Sequence, residues 1–152
     1  MTRTPPTGVT RWFMRAPIAL YRLRLGFLLG RRFVMINHVG RVSGMARRVV
    51  VEVVRRDGDS VVVCSGFGES CQWFQNLQAQ PDVSIVISCR QLDVHARRLS
   101  PEEGENEMLD YAGRHPSAAR TLAGYMGFDA DGSPETFREV GHALPFIRFD
   151  PR

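Results

Sequence analysis

The sequence predicts a small β-barrel edged by helices, in one domain. Three observations carry this prediction. Between Phe33 and Arg97 the chain is dominated by short apolar, β-branched runs separated by turn residues. Helix start signals sit on either side, at Pro17 and again at Ser100-Pro101, Pro116 and Ser133-Pro134. A last apolar run, Leu144 to Phe149, follows those helices and supplies a closing strand from far along the chain. A length of 152 residues suits one domain with a real core, and 43% hydrophobic with 24% charged residues excludes a wholly disordered chain.

Residues 1–10, with Pro5, Pro6 and Gly8, lack periodicity and read as a disordered tail, so the barrel domain is assigned to 11–152. A first helix follows from about Pro17 to Leu29, with Gly30 as its stop. Ile18, Tyr21, Leu25 and Leu28 recur at helical spacing, while Arg15 and Arg22 share another side. Such a helix can lie across the open side of a barrel. It can also lie on a membrane surface, a role that Trp12, Phe13 and Phe27 suit.

Phe33 to Val39 is the first strand. Val49 to Val54 and Ser60 to Ser65 pair across an Asp57-Gly58 hairpin turn. Glu69 to Ala79 has helical spacing in Trp73 and Leu77 and is ended by Pro81. Val83, Ile85 and Ile87 alternate with Ser84, Val86 and Ser88, and Leu92, Val94 and Ala96 with Asp93, His95 and Arg97. These two runs form a second antiparallel hairpin with one wet face, on which His95 is exposed. Ser100-Pro101-Glu102-Glu103 combines an N-cap, a first-position proline and a capping-box glutamate, so a helix follows with Met108, Leu109 and Ala112 turned inward. Pro116 to Met126 makes a second short helix with Gly127 behind it, and Ser133-Pro134 opens a third.

All 20 basic residues are arginine, and a net charge of +4 suits an anionic partner: phosphate, nucleic acid or an acidic membrane surface. Nucleic acid ranks last, because Asp and Glu are spread through the chain and no aromatic–basic platform is present. No apolar stretch reaches about 18 residues, so a transmembrane helix is excluded, and Arg22 and Arg24 interrupt the one candidate signal-peptide region. Three cysteines without a C-x-x-C pair exclude a disulfide framework and a cysteine metal site, which places the chain in a reducing, cytoplasmic setting. His38, His95, His115 and His142 lack metal-ligand spacing, and no Ser-His-Asp set or carboxylate pair is visible.

Chemistry can sit at two glycine-rich turns. In Val39-Gly40-Arg41-Val42-Ser43-Gly44-Met45-Ala46-Arg47-Arg48, glycine permits close backbone approach and exposed N–H groups, and arginine forks grip phosphate oxygens. On spacing alone the same segment reads equally as a plain hairpin loop with solvated charges. The second, Ser65-Gly66-Phe67-Gly68-Glu69-Ser70, is a strand-to-helix junction followed by Trp73 and Asn76. Backbone amides at a helix start favour anions, and a tryptophan can wall a flat ring. Tyr111 and Tyr125 lie on the late helices, where core packing is the ordinary role.

Taken together and in order, these segments resemble the deazaflavin-dependent nitroreductase family. The resemblance rests on Gly40-Arg41-Val42-Ser43-Gly44…Arg47-Arg48, on Ser65-Gly66-Phe67-Gly68 and on Trp73-Phe74-Gln75-Asn76-Leu77…Pro81-Asp82-Val83, and runs from about Pro17 to His115. Family members are split β-barrel oxidoreductases of actinobacteria, FMN-binding-like in fold, that use coenzyme F420, an 8-hydroxy-5-deazaflavin. The resemblance implies a groove for the deazaflavin, with its phosphate and oligoglutamate tail on a basic rim.

Cofactor binding is then implied for Arg41, Ser43, Gly44 and Arg47, with Arg48 beside them, and for Ser65, Gly66, Gly68, Trp73 and Asn76. Ser65, near the ring, and Tyr125 are the implied catalytic residues. The implied reaction is hydride transfer from the reduced deazaflavin to a quinone or nitroaromatic acceptor, with FMN as the alternative cofactor. Two positions depart from the pattern: Val42 stands where many members carry Lys or Arg, and Gly66 where the well-known nitroreductase has Lys. Arg47 and Arg48 offer compensating charge. The tyrosine cluster of that enzyme's acceptor pocket is not reproduced after His115, which leaves Tyr125. Related split barrels often pair as homodimers. Some relatives are thought to bind fatty acids or other anionic lipids, which gives a non-enzymatic alternative with the first helix against a membrane.

Overall fold

A computed structural model of the chain describes residues 32–129 and 131–152. The expected tail at 1–10 and the expected helix over Pro17–Leu29, with its barrel-covering or membrane role, lie outside the described residues. The described residues form six strands: β1 (Phe33–Val39), β2 (Ala46–Asp57), β3 (Ser60–Cys64), β4 (Asp82–Ile87), β5 (Arg90–Arg98) and β6 (Phe146–Pro151). They close into one antiparallel barrel in the order β1-β2-β3-β6-β5-β4, with β4 returning to β1. Helix α1 (Gln72–Ala79) joins β3 to β4, and α2 (Pro101–Arg114), α3 (Pro116–Tyr125) and α4 (Pro134–Ala143) lie between β5 and β6.

Both expected hairpins form, each with a two-residue turn, and Gly58 takes the positive φ (+60°) that opens the first. β2 outruns its β-branched run at both ends, because ladder pairing with β1 and β3 carries on through the arginines that flank it. α1 starts later than its spacing suggests, since Ser65–Gly68 first closes a turn of its own. The Ser100 capping box is complete, with Glu103 N–H donating to Ser100 Oγ and Ser100 N–H to Glu103 Oε2.

Strand alternation sorts the apolar residues into two cores. Val34, Ile36, Val61, Val63, Ile85, Val94, Ile147 and Phe149 fill the barrel, and Phe74 and Leu77 of α1 join them. Val62, Phe146 and Val54 face outward and pack beneath Met108, Ala119, Phe137 and Val140 of α2–α4. A bulge between Val53 and Arg55 resets the phase of β2. Arg55 then reaches α2, where its Nε and Nη2 donate to the buried Glu107 carboxylate at 2.8–3.1 Å. Helices α2 and α4 meet at two glycines: a Cβ on Gly141 would lie 2.5 Å from the Gly104 carbonyl oxygen.

Candidate functional site

Helix α1 is where the two glycine-rich turns meet. The chain leaves β3, makes the Ser65–Gly68 turn and enters α1 at Cys71, whose side chain caps none of the helix's first amides. The β1–β2 turn lies along the flank of the same helix. Arg41 donates its backbone N–H and its Nη1 to Asn76 Oδ1 at 3.0 and 2.9 Å, and Nη1 also to Gln72 Oε1 at 3.0 Å.

Sequence reasoning offers the β1–β2 turn either as an anion cradle or as a plain hairpin loop, and the structure shows four of its amides bonded within the protein. The Gly44 N–H is taken by the Gly40 carbonyl, the Gly40 N–H by Met45 O, the Met45 N–H by Ser43 Oγ and the Arg41 N–H by Asn76. The turn is held by its own bonds, with Gly44 at φ +68° and Gly40 packed where a Cβ would meet Ser43 Oγ at 2.5 Å. Arg41, Arg47 and Arg48 are exposed and have no carboxylate partner among the described residues, whereas eight other arginines do. Two guanidinium nitrogens of Arg41 are unengaged among the described residues.

The register of β1 on β2 divides the remaining two arginines. Arg47 stands opposite His38, on the face that points into the barrel, and Arg48 stands opposite Asn37 on the outer face. His38 follows Val34 and Ile36 in the inward row and is 6% exposed, with Asn76 Nδ2 3.1 Å from its Nδ1. Burial and the neighbouring Arg47 charge hold its pKa down to about 4, so the ring is neutral near pH 7. Asn76 is buried; its Oδ1 accepts twice from Arg41 and its Nδ2 lies within hydrogen-bond distance of His38 Nδ1. It ties the arginine turn to α1 and to β1.

Ser65, too, is turned inward: it is 1% exposed, and its hydroxyl donates to Gly68 O at 2.7 Å. It shapes the second turn, in which Gly68 has φ +85°. The last turn of α3 packs against this loop, with Leu122 beside Gly66 and the Tyr125 ring edge-on to Phe67 at 6.2 Å. Core packing describes Tyr111, whose hydroxyl reaches Glu52 at 3.4 Å, but not Tyr125, which is 49% exposed. Trp73 is half-buried on α1, one residue from Gln72.

The structure thus gathers Arg41, Ser43, Gly44, Arg47, Asn76 and Trp73 around α1. It places Ser65, Gly66, Gly68 and Tyr125 around the helix entrance and turns Arg48 away. Sequence reasoning passes over His38, Gln72 and Phe67. A signal for His38 was available, since a histidine in the inward phase of an apolar strand must find a partner. A depression of about 420 Å³ elsewhere, lined by Arg97, Arg98, Glu103 and His142, has its charges satisfied within the protein by Glu103, Glu69 and Glu105. Among the described residues no three His, Cys, Asp or Glu side chains group as a metal site.

The family described as F420H(2)-dependent quinone reductase matches residues 13–125. Among solved structures, one described as an F420-H2 dependent reductase (FDR-A) shares 21% identity over 80% of this chain and 96% of its own, with a TM-score of 0.54. A chain described as a domain-swapped dimer shares 21% identity over 94% of this chain and 100% of its own, at a TM-score of 0.56. A pyridoxamine 5'-phosphate oxidase-related, FMN binding protein from Nostoc punctiforme shares 13% over 95% and 81%, at 0.54. At these identities the structural likeness is one of fold, the split barrel.

Proposed function

The chain belongs to the F420H(2)-dependent quinone reductase family, and from that premise we propose that it reduces a quinone with a hydride from reduced coenzyme F420, binding the cofactor's phosphate at the arginine end of the barrel. The observation that carries the placement is the set of arginines without carboxylate partners at the β1–β2 turn. Unpaired guanidinium groups beside a Gly-closed turn suit a phosphate and an anionic tail, because each offers a planar fork of donors.

When bound, the deazaflavin supplies the hydride, and the protein's part is to hold, orient and shield. Arg41, steadied by Gln72 and Asn76, presents its remaining nitrogens at a fixed place, and Ser43 adds a hydroxyl. Arg47 adds charge on the inward side. Trp73 is the flat wall available to a ring. Ser65 acts through the turn it closes, and Tyr125, on the far side of that turn, is the phenol placed to hand a proton to a reduced acceptor.

Two further ligands belong to the same proposal. Nitroaromatics are a second acceptor class on the sequence resemblance alone, and FMN is a second ring-and-phosphate ligand suggested by the shared fold. A second copy of the chain is a proposed partner, tested by light scattering. The lipid-binding alternative gains no support from the family match, and among the described residues the barrel interior is lined by packed apolar side chains. No helix among the described residues is long and apolar enough to cross a membrane.

The experiment is a fluorescence titration with oxidised coenzyme F420, run beside FMN. Saturable micromolar binding of F420, weakened roughly ten- to a hundredfold by Arg41→Ala, is expected, since a charged hydrogen bond is worth about 1.5–3 kcal/mol. Absence of F420 binding overturns the proposal, and binding of FMN alone changes the cofactor.

A further inference from the structure

His38 is costly where it stands. The inward row of β1 reads Val34, Ile36, His38, and a third apolar residue would simply extend the core. Its hydrogen bonding can be worked out from the partners. Asn76 Oδ1 receives two donors from Arg41, which fixes that amide, so Nδ2 must face His38 and donate to Nδ1. Nδ1 is therefore the unprotonated nitrogen and the ring proton sits on Nε2. That N–H has no partner among the described residues. Yet no buried side-chain polar atom among them is left unsatisfied, so Nε2 reaches the surface through the small part of the ring that is exposed. Directly across the ladder is Arg47, likewise without a carboxylate.

We propose that the His38 Nε2–H and the Arg47 guanidinium together form a two-donor subsite for a phosphate group at the mouth of the barrel. The assignment rests on the cofactor reading above and adds His38 to it as a binding residue. The two donors differ in kind. Arg47 brings charge, while the neutral imidazole brings a single N–H whose direction is locked by Asn76 and, through it, by Arg41. The arginine turn, α1 and the inward end of β1 thereby become one device, in which Asn76 aligns donors from two elements. The groups facing His38 are Asn76 from α1 and Arg47 from β2, and neither brings a carboxylate that would compete with an anion.

The discriminating variant is His38→Asn, whose side-chain oxygen can still accept from Asn76 near the Nδ1 position but which has no N–H near Nε2. We expect it to weaken oxidised coenzyme F420 about tenfold by fluorescence titration. The form lacking glutamates but keeping its phosphate should lose the same factor, and the phosphate-free deazariboflavin none. His38→Gln, which restores an N–H near Nε2, should recover most of the loss. Unchanged F420 affinity in His38→Asn overturns the subsite. So does an equal loss on the phosphate-free ring, and a loss that appears only with the glutamate tail reassigns the pair to carboxylate and overturns it as well.

A second measurement needs no cofactor: imidazole NMR of the full chain with tens of millimolar inorganic phosphate. Phosphate should raise the His38 pKa in the native protein and leave it unmoved in Arg47→Ala. If that holds while F420 fails to bind, the cofactor reading falls and the subsite stands. If phosphate leaves His38 untouched, the subsite falls.

Discussion

Acid should destabilise this protein through His38 in a way that one substitution can isolate. In the unfolded chain a histidine titrates near 6.5, whereas in the fold burial and Arg47 hold His38 at about 4. Between those values the unfolded chain carries a proton that the folded one refuses. The stabilising contribution is therefore complete above pH 6.5 and is lost as pH falls from 6.5 through 4. A separation of about 2.5 units at about 1.36 kcal/mol each gives a loss of about 3 kcal/mol by pH 4. That is a large share of the stability of a domain this size. The assay is urea unfolding at pH 7, 5.5 and 4 for the native chain and His38→Asn, which keeps the Asn76 contact and cannot titrate. Asp82, Glu103, Asp131 and Asp150, whose pKa values are lowered by hydrogen bonds and nearby cations, contribute stability lost on acidification too, but equally in both proteins. The native chain should lose about 3 kcal/mol more than the variant between pH 7 and 4. Parallel losses would refute the reasoning, because they would mean that His38 takes its proton in the fold as readily as out of it.

Three other outcomes follow from the geometry. Gly141→Ala should cost about 1–3 kcal/mol and lower the Tm, because its Cβ would press on the Gly104 carbonyl at 2.5 Å; Gly113→Ala, on open helix surface, should be neutral or slightly stabilising. Ser65→Ala should leave F420 affinity within a few fold and reduce kcat, since the hydroxyl acts on the loop; a large loss of affinity with kcat intact would contradict this. Tyr125→Phe keeps the ring against Phe67 and removes the phenol, so steady-state kinetics with a quinone should show lower kcat at an unchanged Kd for the coenzyme.

Much of the fold was legible in local chemistry. Alternation of Val83–Ser88 with Leu92–Arg97, the Asp57-Gly58 turn and the Ser100 capping box each act over a few neighbouring residues, so the chain states them directly. The candidate site was legible only as a pair of glycine turns and a cluster of arginines, while the fold and family followed from their order. What only the tertiary structure decided is how those groups spend their hydrogen bonds. Asn76, which the family resemblance groups with the cofactor contacts, bonds to Arg41 and His38. Ser65 is sealed inside its own turn, and Arg47 and Arg48, neighbours in the chain, part to opposite faces of β2. His38 became visible only when β1 and α1 were brought together across 38 residues. The reason is physical: strand phase and turn chemistry are local properties, but a donor's availability depends on partners that the closed barrel alone brings within reach.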